Sequence, residues 1–178
     1  MPLPARAALQ TASAAELLAL YASIVDELLD RRIARSSNNP VADYAEYLVA
    51  QAFGLTLAAN AVRGYDAIDE AAGTRYEVKG RRLQTRNHGR QLSFFRGFND
   101  VERPFDVLVA ILFEPDFHVR RAARMAYQVV HAHAGRSNHV NGWRLTLSDT
   151  VWDIPGVEDV TTAIREAATQ SVRAATAG

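Results

Sequence analysis

The sequence predicts a single α/β domain, on three observations. Residues 13–33 carry apolar side chains at helical spacing and a second helix is bracketed by Asn39-Pro40 and Gly54, residues 64–80 alternate about a central glycine as a β-hairpin does, and residues 106–113 form an almost continuous apolar run. With 178 residues, 48% of them hydrophobic, the chain is long enough for one packed core and too short for two full domains. We read 1–178 as one domain with an N-terminal helical extension over residues 1–36.

In chain order, Leu17, Leu18, Tyr21, Ile24, Val25 and Leu28 mark an amphipathic helix over 13–33, with Ser13 as its cap and Glu16 three residues on. This helix is expected either to cover the sheet or to serve an interface. After the polar break at 35–39, Asn39-Pro40 starts a second helix that runs to about Phe53 and stops at Gly54. Residues 55–61 read as a short strand and 64–80 as an antiparallel hairpin turning near Gly73. The polar, basic stretch 83–99 has no firm assignment. Residues 106–113 (DVLVAILF) read as a strand covered on both faces. Residues 117–125 are expected to pair with it, although their arginines admit a helix. A helix over 125–134, a strand over 143–147 and a closing helix over 157–168 complete the chain.

Composition narrows the chemistry. No cysteine is present, which removes disulfides, thiolate nucleophiles and cysteine-held zinc, so a metal would be held by oxygen or histidine. No apolar run approaches the roughly 18 residues of a membrane span, and the first residues lack the pattern of a secretion signal, so a cytoplasmic protein is expected. The 20 basic and 20 acidic residues balance, yet 75–96 holds seven basic residues and one acid, Glu77. Such a stretch fits a phosphate backbone, or a solvated arginine-rich loop. Lys79 is the only lysine beside 19 arginines, which hints at a position where a compact ammonium is wanted instead of a planar guanidinium.

The hairpin carries the candidate site. If its turn centres between Ala71 and Ala72, Asp66 lies opposite Glu77. Glu77 and Lys79 then share a face while Val78 points the other way. Opposed like charges are destabilising, so the arrangement makes sense with a cation or the lysine between them. Asp69 has the wrong parity, and only a bulge or shifted turn would reverse that order.

Asp66, then ten residues, then Glu77-Val78-Lys79 resembles the PD-(D/E)XK signature of many restriction endonucleases and DNA-repair nucleases. Tyr65 replaces the proline that names the motif. The resemblance implies a restriction endonuclease-like three-layer α/β/α core with a central mixed β-sheet flanked by helices. Its order is helix, three strands, helix, strand, drawn mostly from residues 40–125. It also implies a Mg²⁺-dependent endonuclease hydrolysing phosphodiester bonds in double-stranded DNA, of restriction or host-defence type, working as a homodimer. Asp66, Glu77 and the Val78 carbonyl would hold Mg²⁺, or Mn²⁺, which suits the same oxygens; Glu46 would join directly or through water, and Lys79 would position the nucleophile. Arg81, Arg82, Gln84, Arg86, Arg90 and Arg96 would contact phosphates beside His88, with Phe94 or Phe95 free to stack on a base while at least one of the two is core.

Against this stands the ordinary reading of E-x-K as a charge pair on a solvated strand face. An opposed Asp, an upstream Glu, the single lysine and the basic Arg81-Arg82 together favour the nuclease. The alternatives are a catalytically inactive nuclease-like fold that binds DNA or protein, and a structural subunit whose basic loop docks an acidic protein. His131, His133 and His139 lack a zinc pattern, and no phosphate-binding loop motif indicates a nucleotide cofactor.

Overall fold

A computed structural model of the chain describes residues 6–59, 64–84, 89–95, 103–137 and 142–174. Helices α1 (Arg6–Thr11), α2 (Ala14–Asp30) and α3 (Val41–Phe53) come first. Strands β1 (Thr56–Leu57), β2 (Ala67–Asp69), β3 (Thr74–Arg82), β4 (Val107–Phe113) and β5 (Val119–Ala126) follow. The chain continues through α4 (Tyr127–His133), a ribbon of β6 (Gly135–Ser137) and β7 (Gly142–Arg144), a 3-10 turn (Asp149–Asp153), β8 (Val157–Asp159) and α5 (Thr161–Ala174). Six strands form one sheet in the order β1-β2-β3-β4-β5-β8. Only the β3–β4 pair is parallel, which makes the sheet mixed and mostly antiparallel. Among the described residues, no helix is long and apolar enough to cross a membrane.

Local chemistry explains most boundaries. Ser13 and Glu16 close a reciprocal capping box at the start of α2, and the Asn39 carboxamide accepts the Val41 amide where α3 begins. The β2–β3 turn closes as the sequence predicts. Asp69 Oδ1 accepts the amides of Ala71 and Ala72 at 3.0 Å each, and Gly73 takes the left-handed conformation at φ 68°. Ala67 therefore pairs with Tyr76 and Asp69 with Thr74, the register of a turn centred between Ala71 and Ala72.

Several expectations change, among them the strand over 143–147, which is shorter (Gly142–Arg144) and pairs with β6 outside the main sheet. Residues 157–168 are not one helix, because Val157–Asp159 pairs with β5 as an edge strand and α5 starts only at Thr161. Arg121 and Arg124 hold Asp159 and Glu158 at that edge, and Asp159 Oδ1 accepts the Thr161 amide at 3.0 Å, so a carboxylate that helical spacing assigns inside the helix instead opens it. Helix α2 does not cover the sheet. It buries only Val25 and leaves Leu18 67% and Tyr21 52% exposed.

The sheet separates two cores. On one face α3 and α5 pack over Tyr76, Val78, Val109, Ile111 and Phe113. On the other, α4, the 3-10 turn and the segment containing Leu92 and Phe95 pack over Leu108, Ala110 and Leu112. A parallel pair needs a crossover, and the β3–β4 connection makes it across this second face. Its Leu92 and Phe95 amides donate to Leu145 and Trp143 carbonyls at 3.0 and 2.9 Å, so residues 91–95 run as an extended strip where the resemblance implies a helix. Arg75 fixes the start of the parallel pair by donating Nε and Nη2 to Asp106 at 3.1 Å each.

Gly80 sets how closely α3 approaches. A Cβ there would lie 2.7 Å from the Val41 carbonyl oxygen and 3.0 Å from Ala45 Cβ. We expect Gly80→Ala to lower unfolding free energy by about 1–3 kcal/mol, read from the urea midpoint at unchanged slope.

Candidate active site

The parity of β3 decides which side chains meet. Val78 and Gly80 face α3, whereas Glu77 and Lys79 face the second core beside Leu108 and Ala110, their partners on β4. The crossover roofs that face. Asp66, Glu77 and Lys79 line a cavity of about 270 Å³ with Gly64, Tyr65, Phe94, Phe95, Pro104 and Phe105. The apolar wall is not legible in the E-x-K motif, because it comes from the unassigned stretch and from the segment leading into β4.

Asp66 reaches the cavity by a different route from simple opposition across a ladder. Regular pairing ends at Ala67, and the Asp66 amide donates to the Tyr76 carbonyl at 2.8 Å. Its Oδ2 accepts the Val78 amide at 2.7 Å, so the carboxylate replaces a strand partner at the sheet edge. In an extended strand the N–H and C=O of one residue point the same way, so the Val78 carbonyl looks out of that edge too.

Glu77 and Lys79 are ion-paired, with side chains only 13% and 17% exposed. The Lys79 ammonium sits 5.8 Å from the Phe95 ring centroid, a cation–π distance that suits a compact charge. Burial pushes the Glu77 carboxyl above the ordinary glutamate range, the Lys79 ammonium pulls it back, and the Asp66 charge adds to the upward shift. The site thus holds two interacting carboxylates and one cation in a partly dry pocket.

Glu46 is not among the residues lining this cavity. It sits on α3 at 8% exposure, the most buried charged residue among those described, and pairs with Arg35. Arg35 Nη1 also donates to the Ala58 carbonyl at 2.7 Å, and the Ala58 amide donates to the Asp66 carbonyl at 2.9 Å. Glu46 is therefore tied through Arg35 to the backbone that carries Asp66. Asp69 serves the turn, as its parity predicts.

The predicted phosphate contacts diverge. Arg81 lies on the Glu77 face and donates to the Gly89 carbonyl at 2.8 Å. Arg82 points the other way, donates to the Pro115 carbonyl at 2.8 Å and lies 4.5 Å from the Phe117 ring centroid. Gln84 is exposed, and Arg90 pairs with Asp149. Arg86, Arg96, His88 and His139 fall outside the described residues. Much of the basic stretch is thus neutralised or held by backbone, Arg75 by Asp106 included. Phe95 is core, while Phe94 lies against Arg144 with 3.8 Å between guanidinium and ring centroid. His131 sits between Tyr127 and Trp143, whereas His133 is exposed, and no group of three or more metal-ligating side chains forms among the described residues.

Comparison with known protein families and with curated protein sequences returns no match. The functional reading therefore rests on the site itself.

The raised Glu77 pKa makes a prediction about stability. The proton is held more tightly in the folded state, so its contribution is complete below the ordinary glutamate value of about 4.3 and is lost as pH rises through the folded value. Denaturation from pH 4 to pH 8 should show wild type losing stability relative to Glu77→Gln as pH rises, and a pH-independent difference would contradict the assignment.

Proposed function

We propose that this chain is a metal-dependent endonuclease of the PD-(D/E)XK type, with Asp66, Glu77 and Lys79 at its cleavage centre. The observation that carries the reading is the meeting of two carboxylates and the only lysine in one roofed cavity at a sheet edge. Supporting it, α3 followed by β1, β2 and β3 and then by a parallel β4 in a mixed sheet agrees with the implied order of helix, three strands, helix and strand except at the second helix. The extended strip at 91–95 is the departure from that order.

The donor set fits a hard divalent cation. Asp66 keeps one carboxylate oxygen beyond its bond to Val78, Glu77 is raised in pKa next to a second acid, and the Val78 carbonyl faces the same edge. These three would hold Mg²⁺ or Mn²⁺, with Glu46 acting through water because Arg35 already occupies it. When bound, the metal supplies Lewis-acid polarisation of the phosphate and a bound water of lowered pKa. Lys79 would orient the attacking water and offset charge developing on the phosphate, and the apolar Phe95 and Phe105 side chains beside it lower the local polarity, which strengthens that interaction. Glu77 must be deprotonated to hold the metal, and burial beside Asp66 favours its protonated form in the metal-free chain, so metal affinity falls as pH is lowered.

The substrate is a phosphodiester, with double-stranded DNA as the expected polymer and a restriction or host-defence role in the cytoplasm. A double-strand cut needs two such centres, which a homodimer supplies. A DNA-binding module without catalysis has no use for two acids held together near a polyanion.

Purified chain with plasmid DNA, Mg²⁺, Mn²⁺ or EDTA tests this. We expect metal-dependent nicking that falls at least about 100-fold in Lys79→Ala and in Asp66→Asn, with DNA binding in EDTA retained. Lys79→Arg should not restore cutting, because the guanidinium is planar and does not present a compact charge. Binding without cutting in every metal would favour the inactive module.

A further inference from the structure

We propose that the cavity lined by Gln91, His133, Arg136, Arg144, Thr146 and Ser148 is a second phosphate-binding site, which grips the substrate strand away from the cleavage centre. Its volume is about 480 Å³, room for a phosphate with its sugar. In taking a nucleic acid as ligand, this inference rests on the nuclease reading above.

Charge is the first argument. Arg136 and Arg144 line the cavity beside His133, and among the described residues no acid does, so two like charges gather there without a counter-charge from the described wall. The second is a pre-oriented guanidinium. Arg144 Nη1 donates to Gln91 Oε1 at 2.6 Å and the guanidinium carbon lies 3.8 Å from the Phe94 ring centroid, which fixes the fork at the cavity wall. An anionic oxygen is the acceptor that such a fork suits best. The Thr146 and Ser148 hydroxyls add neutral donors at the rim.

Position is the third. The strip 91–95 pairs with residues 143–146 through Phe95–Trp143 and Gln91–Thr146 bridges, and it separates the two cavities. Phe94 lines the cleavage cavity and stacks on Arg144, which lines this one. A strand cut at Asp66 and Glu77 therefore passes over Phe94 and places a neighbouring phosphate at Arg144 and Arg136. None of these cationic residues belongs to the basic stretch 75–96, so the charge pattern along the sequence does not reveal them.

Binding by the chain in EDTA, where cutting is blocked, tests the site by fluorescence anisotropy with duplex DNA and by calorimetry with adenosine monophosphate. Arg136→Ala and Arg144→Gln should each weaken DNA binding about tenfold and lower the salt slope by about 1, while Arg120→Ala, on an exposed arginine paired with Glu114, should change little. Arg136 is exposed, so its removal leaves the core intact even if Arg144→Gln disturbs the Phe94 stack. Loss of mononucleotide binding with unchanged DNA affinity would keep the phosphate site and identify a free nucleotide as its occupant. Unchanged binding of both ligands in both variants, or no binding of either by wild type, would overturn the site. Because cutting is not read, failure here stays separate from failure of the Lys79 cleavage test.

Discussion

The register of the β2–β3 hairpin is the constraint on which the site depends. Side chains on a strand alternate between faces, so a slip of one residue would send Glu77 and Lys79 under α3 and lift Val78 into the cavity. Asp69 and Gly73 fix the turn, and Gly80 fixes the other face by admitting α3 to a distance that no side chain tolerates. The carboxylate of Asp66 then takes the first amide that β2 leaves unpaired, Val78 N–H, and so stands at the sheet edge beside Glu77.

That convergence carries an electrostatic cost, and the surroundings offset it without removing it. Lys79 neutralises Glu77, but burial and Asp66 still hold the Glu77 proton above the ordinary range. A buried charged group is tolerated where it is paired, and Arg35 meets the same requirement for Glu46 on the far side of the sheet edge. The parallel β3–β4 pair adds the roof: the chain has to cross one face to return, and it crosses the one that carries the charges. Topology, hairpin register and pKa are thus three levels of one arrangement.

Elements with strong local signals were legible in the sequence. The Ser13 cap, the Asn39-Pro40 start, the hairpin turn and the continuous apolar run of β4 each follow from a few neighbouring residues. Long-range pairing was not. Residues 157–159 form a strand because arginines on β5 hold their acids, and nothing local distinguishes them from the first turn of a helix. In the same way the triad Asp66, Glu77 and Lys79 followed from strand parity, whereas the aromatic wall and the Arg35 hold on Glu46 depend on distant segments. Among the described residues of the basic stretch 75–96, Arg75 and Arg90 are paired with Asp106 and Asp149 while Arg81 and Arg82 are held by backbone carbonyls, partners at sequence positions that a local charge count ignores.

The most direct test of the account is a Mn²⁺ titration at neutral pH, followed by calorimetry and by paramagnetic broadening of Lys79 and Phe95 resonances. The account predicts a site that broadens both residues and is lost in Asp66→Asn and Glu77→Gln. Mn²⁺ that binds equally well to the two variants, or that leaves Lys79 and Phe95 unbroadened, would contradict a metal centre built on the hairpin.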